Sequence, residues 1–276
     1  MAVKTAVSAL GISVLGAGFA PLFYVGTRGV ALLSSGALRL PAVFLYVILV
    51  CGMLGTALER IAYRPLRYKT RLSSLITALG VSLFLENFCS LDIVFSSAYR
   101  PFPPLIARQE LVRIPSLGIT VSSVFVVNIV TLALLLGLLW LLVQKTMTGR
   151  QMRAVAYNLR VASLMGIDVD RVIGMTFVIG SAIAGVSGIL FAMNYGILQS
   201  PFLGFTPGLK AFIAAVLGGI GSLPGAVIGA LVMGVTEVFA NSVDSNLGFA
   251  AAFLILIVIL IIRPTGIMGR RETEKV

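Results

Sequence analysis

A chain of 276 residues that is 58% hydrophobic and only 11% charged falls outside soluble domains, which run roughly 45–50% apolar and about 25% charged. So large an apolar excess cannot hide in one core while the surface stays wetted, and two cysteines make no disulfide framework. The chain has no histidine, which removes the commonest zinc and haem ligand and the usual general base.

A bilayer core of about 30 Å takes roughly 20 apolar residues as helix, and uncharged runs of that order recur along the chain. Thr5 to Val25 is the first, rich in glycine and serine and interrupted by Pro21. Leu40 to Leu58 follows, then Leu72 to Leu91 with one acid at Glu86. Val121 to Val143 ends in a leucine-dense half with Trp140, Val172 to Tyr195 is next, and Leu247 to Ile262 is last. Between the last two lies Phe205 to Ala240, interrupted at Gly218-Gly219-Ile220-Gly221-Ser222-Leu223-Pro224-Gly225. Its arms are about 13 and about 16 residues, roughly 20 and 24 Å as helix. Non-helical backbone at membrane depth is tolerated only where it is buried in protein or lines a cavity. The expectation is an all-α polytopic integral membrane protein: about six transmembrane helices plus a broken or re-entrant segment, all in one domain over residues 1–276.

Basic residues predict the orientation. Lys4, the loop Arg60, Arg64, Arg67, Lys69 and Arg71, the loop Lys145, Arg150, Arg153, Arg160 and Arg171, and the tail Arg263, Arg270, Arg271 and Lys275 hold 15 of the 21 Lys and Arg. Arg28, Arg39, Arg100, Arg108, Arg113 and Lys210 fall in the alternate loops. The first group is expected in the cytoplasm, with both termini. The net charge of +11 is thus a topology signal and needs no nucleic acid. Parity requires the broken segment to begin and end outside.

Two acids sit within apolar runs, Glu86 and Glu237. At a helix centre each costs about 2.5–3.5 kcal/mol on insertion scales, so each should face protein, water or the headgroups. No chain of further acids or histidines continues inward from either, which argues against proton coupling. Cys51 and Cys89 read as small hydrophobes.

The loop Gln144 to Arg171 is the most informative stretch outside the spans. Val155, Leu159, Ala162 and Met165 fall at helical spacing on one face, with Arg153, Asn158 and Arg160 off it. Gly166 fits the position after a helix end, and Asp168 or Asp170 fits a cap for the next span. Such a short helix needs a surface to rest on. Two surfaces fit: anionic headgroups, or a cytosolic motor whose movement the helix transmits.

The residues themselves carry a resemblance. Gly149-Arg150-Gln151-Met152-Arg153-Ala154-Val155-Ala156, continuing to Ala162-Ser163-Leu164-Met165-Gly166-Ile167-Asp168, resembles the cytoplasmic loop of bacterial branched-chain amino acid ABC importer permeases. Glu59-Arg60-Ile61-Ala62-Tyr63-Arg64-Pro65-Leu66-Arg67 leading into Leu75 to Ser82 with Glu86-Asn87 is similar to the same family, as are Gly204 to Ala226 and Arg263-Pro264-Thr265-Gly266. Four motifs in the family's order cover roughly residues 50–270. The pattern departs at residues 1–45, which lack the Asn-Phe-Ala-His-Gly-type stretch usual before the second helix.

The resemblance implies a machine: this permease with a second permease subunit, two cytosolic ATP-hydrolysing subunits and an extracytoplasmic solute-binding protein, in the bacterial cytoplasmic membrane. Gly149, Arg150, Arg153, Ala154, Asn158, Gly166 and Asp168 would then form the coupling segment. No Gly-x-x-x-x-Gly-Lys-Ser/Thr loop occurs here, so ATP and magnesium belong on the partner subunits and this chain is expected to bind no cofactor and catalyse nothing. Small polar surface at Thr77, Gly80 and Ser82, with Glu86, and at Gly218, Gly219, Gly221 and Ser222 marks a candidate translocation pathway. Broken helices present backbone groups and dipole ends suited to a zwitterion, although the same small residues would serve close helix packing. Leu72–Leu79 faintly echoes Leu209–Val216 in its Leu, Ile and Ala positions. Related permeases carry urea, short amides or other amino acids, and a secondary transporter without ATPase partners is the reading from a different class.

Overall fold

A computed structural model of the chain describes residues 36–66, 71–90, 100–102, 105–106, 108–114, 119–198, 204–244, 247–263 and 265–269. The expected span Thr5 to Val25 lies outside the described residues, as do Lys4, Arg28, Arg67, Lys69, Arg270, Arg271 and Lys275 from the orientation argument. Two compact units divide the chain, Met1–Ser200 and Pro201–Val276.

In the first unit, helix α1 (Gly36–Leu58) runs into a π-turn (Glu59–Tyr63) and a 3-10 turn (Arg64–Leu66). Helix α2 spans Arg71–Ser90. Strand β1 (Arg100–Pro101) comes next, then a hairpin of β2 (Glu110–Ile114) and β3 (Ile119–Ser122), paired Arg113 to Thr120 with a bulge at Glu110/Val112. Helix α3 (Ser123–Lys145) is capped by Ser122, whose hydroxyl accepts from the Phe125 amide. Helices α4 (Met147–Tyr157) and α5 (Leu159–Leu164) follow, then α6 (Val169–Tyr195) and β4 (Ile197–Leu198), which pairs antiparallel with β1. The strands were not anticipated. Their signal was present as two short runs rich in Ile and Val around Pro115 to Gly118, which the apolar spans overshadowed.

Helices α1 and α6 form the principal helix pair of this unit, and their contacts pair antiparallel. Gly55 lies against Ser181 and Phe177, Gly185 against Cys51 and Val47. Without a hydrophobic drive between helices in lipid, small residues that let backbones approach supply the packing. At the end of α1 away from Arg60, Leu40, Val43, Phe44 and Val47 join Val124, Ile189 and Met193 in an apolar cluster.

In the second unit, α7 (Phe205–Gly218), α8 (Leu223–Val243) and α9 (Leu247–Ile262) form a three-helix group. Ile213, Ala214, Met233 and Ala252 are its core, with Leu209, Phe253 and Leu256 packed on it. The expected interruption is present at residues 219–222. Its second arm, expected to stop near Ala240, continues to Val243. At 21 residues that arm is about 31 Å long, enough to cross. The first arm, 14 residues, stays short.

Among the described residues, Leu40–Leu66, Ser123–Lys145, Val169–Tyr195 and Leu223–Val243 are long and apolar enough to cross a membrane, with shorter apolar helices at Ile76–Ser90, Thr206–Gly218 and Leu247–Ile262. The protein is an all-α polytopic integral membrane protein with short strands between spans.

Candidate functional site

The loop between α3 and α6 builds a small helical platform. Thr146 caps α4: its hydroxyl accepts from the Gly149 amide at 3.1 Å and donates to the Leu142 carbonyl at 2.6 Å. Gly149 is buried where a Cβ would collide with the Leu142 and Val143 carbonyls. Arg153 donates to the Val143 carbonyl, a cation at the negative end of the α3 dipole. Gly149 and Arg153 therefore anchor the platform to α3, while Arg150 is exposed and Ala154 half-buried on α4.

The single amphipathic face expected from Val155 to Met165 is corrected. The chain leaves the helix at Asn158 (φ −158°), whose side-chain oxygen accepts from the Arg160 and Val161 amides at 3.0 and 3.2 Å and so caps α5. The break resets the helical phase. Val155 and Ala162 are still buried, with Val169 and Val172, and Leu159 packs on them. Met165, in contrast, is 77% exposed. Asn competes for backbone amides and favours caps, so an Asn in mid-pattern was the available signal. Gly166 adopts φ +78° after α5, and Asp168 caps α6 by accepting from the Arg171 amide at 3.1 Å; both match the reading of the sequence. Tyr157, Val161, Leu164 and Met165 are left with exposed apolar surface outside the spans.

Beside this platform, Arg64 in the 3-10 turn after α1 donates to Asp170 at the start of α6 at 2.7 Å. A cavity of about 500 Å³ opens there, lined by Glu59, Arg60, Arg64, Asp168, Asp170 and Arg171 among others. Glu59 is buried within the π-turn, a local geometry frequent at functional positions.

The proposed pathway residues separate by unit. On α2, Thr77 returns its hydroxyl to the Ser73 carbonyl at 2.8 Å. Gly80 and Ser82 are exposed, and nothing stands within 4 Å of where a Cβ on Gly80 would be. Glu86 is 9% exposed, and its Oε1 has no hydrogen-bond partner among the described residues. In the second unit, Gly218 and Gly225 meet backbone to backbone, and Gly229 meets the Ala214 carbonyl. Ser222 caps α8 by accepting from the Gly225 amide. Gly219 (φ +106°) lies against Gly269, while Gly221 is exposed. The expectation of unpaired backbone at the break is corrected at the two carbonyls that lead into it. The Leu217 and Gly218 carbonyls accept from the Ile267 and Met268 amides at 3.0 and 2.9 Å, so the segment after α9 clasps the turn.

One pairing was missed in the sequence. Lys210 on α7 and Glu237 on α8 form an ion pair between the two arms. The sequence offered one cation and one acid within otherwise apolar arms, but their meeting depends on how those arms align.

The family model described as "Branched-chain amino acid transport system / permease component" matches residues 2–262, so the match includes the divergent N-terminal stretch. The high-affinity branched-chain amino acid transport system permease protein LivH of Escherichia coli (strain K12) is 42% identical over 248 residues, 88% of this chain and 79% of that protein. BraD of Pseudomonas aeruginosa, with the same description, is 41% identical over 246 residues, 88% and 79% of the two chains. The xylose transport system permease protein XylH of Escherichia coli (strain K12) is 33% identical over 143 residues, 47% of this chain and 35% of that protein. No solved structure matches the chain. With the family match over nearly its whole length, the chain belongs to the family of branched-chain amino acid transport system permease components.

Proposed function

We propose that this chain is the transmembrane permease subunit of an ATP-binding-cassette importer that moves branched-chain or related amino acids inward across a bacterial cytoplasmic membrane. It pairs with a second permease subunit, rests on two cytosolic ATP-hydrolysing subunits that hold ATP and magnesium, and receives cargo from an extracytoplasmic solute-binding protein. Both termini face the cytoplasm. The observation that carries the coupling role is the platform α4–α5: anchored by Gly149 and Arg153, shaped by Asn158, Gly166 and Asp168, and presenting Tyr157, Val161, Leu164 and Met165 exposed among the described residues. A rigid seat with exposed apolar anchors suits a protein partner. Arg150 and Ala154 on α4 belong to the same contact. The pathway candidates are Thr77, Gly80, Ser82 and Glu86 in the first unit and, taken separately, the turn Gly218, Gly219, Gly221 and Ser222 in the second.

The test is radiolabelled leucine uptake into proteoliposomes holding the co-expressed complex, with ATP inside and binding protein outside. Uptake should require both ATP and the binding protein. Replacing Leu164 and Met165 by Asp should leave assembly of the two permeases intact and lower the ATPase stimulation by loaded binding protein at least tenfold. Uptake driven by an ion gradient without the ATPase subunits overturns the reading.

A further inference from the structure

The pair Lys210–Glu237 is unlike the rest of its surroundings. Its two arms otherwise meet through glycine backbones and aliphatic side chains such as Ile213 and Met233. Charges within apolar spans mark functional positions by default. A half-buried ion pair adds little net stability compared with apolar residues of the same volume, so packing alone does not account for it. Both side chains also remain reachable, at 27% and 26% exposure.

We propose that Lys210 and Glu237 are a recognition site for the two charged ends of a zwitterionic α-amino acid. The Lys210 ammonium takes the cargo's carboxylate and the Glu237 carboxylate takes its ammonium. The inference rests on the amino-acid permease reading and adds to it the place in this chain where the cargo's common backbone is read. An α-amino acid carries opposite charges on one carbon, matching a cation and an anion already side by side. When it enters, the internal pair exchanges one set of partners for another, and no charge is left uncompensated in a low-dielectric site. Room exists for the aliphatic side chain. Gly234 lies one turn from Glu237 on the same face of α8, and nothing stands within 4 Å of where its Cβ would be. By contrast, Glu86 is a single acid with an unpartnered oxygen among the described residues, and a lone carboxylate reads only one end of a zwitterion.

The experiment is competition binding of radiolabelled leucine to the assembled complex in nanodiscs, without binding protein. The competitors are isoamylamine, which lacks the carboxylate, and 4-methylpentanoate, which lacks the ammonium. The wild-type complex should prefer leucine over each by at least tenfold. Lys210→Met should abolish the preference over isoamylamine, and Glu237→Gln the preference over 4-methylpentanoate. Gly234→Leu should weaken leucine binding with both charges in place. If the single variants fail to assemble, the exchange of Lys210→Glu with Glu237→Lys keeps the pair. It should still cost at least tenfold in leucine affinity, because it turns the isobutyl group away from the space beside Gly234. Unchanged preferences in the single variants, or wild-type affinity in the exchanged pair, overturn the site. A wild-type complex that neither binds nor transports leucine overturns the amino-acid reading itself, and the site with it.

Discussion

The helix pairs α1–α6 and α7–α8 both rely on glycine, yet Gly185 in the first and Gly218 in the second face different groups. In the first unit Gly185 stands against side chains: a Cβ there would lie 2.6 Å from Cys51 Sγ and 2.7 Å from Val47 Cγ1. In the second, Gly218 stands against the backbone of Gly225. Side chains can change rotamer to relieve a clash, whereas backbone held in two helices cannot. The acids differ in the same sense. Glu237 is tied to Lys210 across its pair, whereas Glu86 keeps an oxygen without a partner among the described residues. Gly218 and Glu237 thus meet specific partners within their unit, whereas Gly185 meets adaptable side chains and Glu86 Oε1 no hydrogen-bond partner among the described residues.

The strongest test of that contrast is Gly218→Ala. It should destabilise the purified chain in detergent by about 3 kcal/mol, the upper end for overpacking, read as a lowered thermal midpoint. A loss as small as that for Gly185→Ala would remove the distinction between the pairs. Next, Glu237→Gln leaves Lys210 without its counter-charge. The cost should be about 2 kcal/mol, below the 3–5 of a fully buried pair because both groups are partly exposed. Gly185→Ala should cost about 1–2 kcal/mol, and adding Cys51→Ala should recover part of it, since Sγ is one of two side-chain obstacles and Val47 Cγ1 remains. Arg64→Ala removes an ion pair whose side chains are about half exposed and should change stability by less than about 1 kcal/mol. Smallest of all, Glu86→Gln should leave the thermal midpoint unchanged or slightly raised, because no partner among the described residues is lost. A large drop would assign Glu86 a partner and erase its contrast with Glu237.

The parts of the fold that were legible in the sequence depend on neighbours within a few residues. Leu40–Leu58, Leu72–Leu91, Val172–Tyr195 and Leu247–Ile262 are visible because an apolar run of helical length is a local property. The break at 219–222 is visible because glycine and Pro224 disfavour helix locally. Gly166 and Asp168 are legible for the same reason, as each acts on amides or carbonyls within its own turn. Asn158 was legible in principle, but its capping chemistry competed with an apolar pattern that ran straight through it.

Sequence by itself determined that this chain spans a membrane, roughly where several of its described helices lie, where one helix breaks and which family it belongs to. These follow from hydropathy, turn chemistry and motif order, all of which act along the chain. Tertiary structure alone decided that Arg153 seals the end of α3, that Lys210 meets Glu237, and that Ile267 and Met268 close the turn after α7. Each of these joins groups whose distance is set by how two elements align. Shifting one helix by a single turn would part them while leaving every local pattern unchanged.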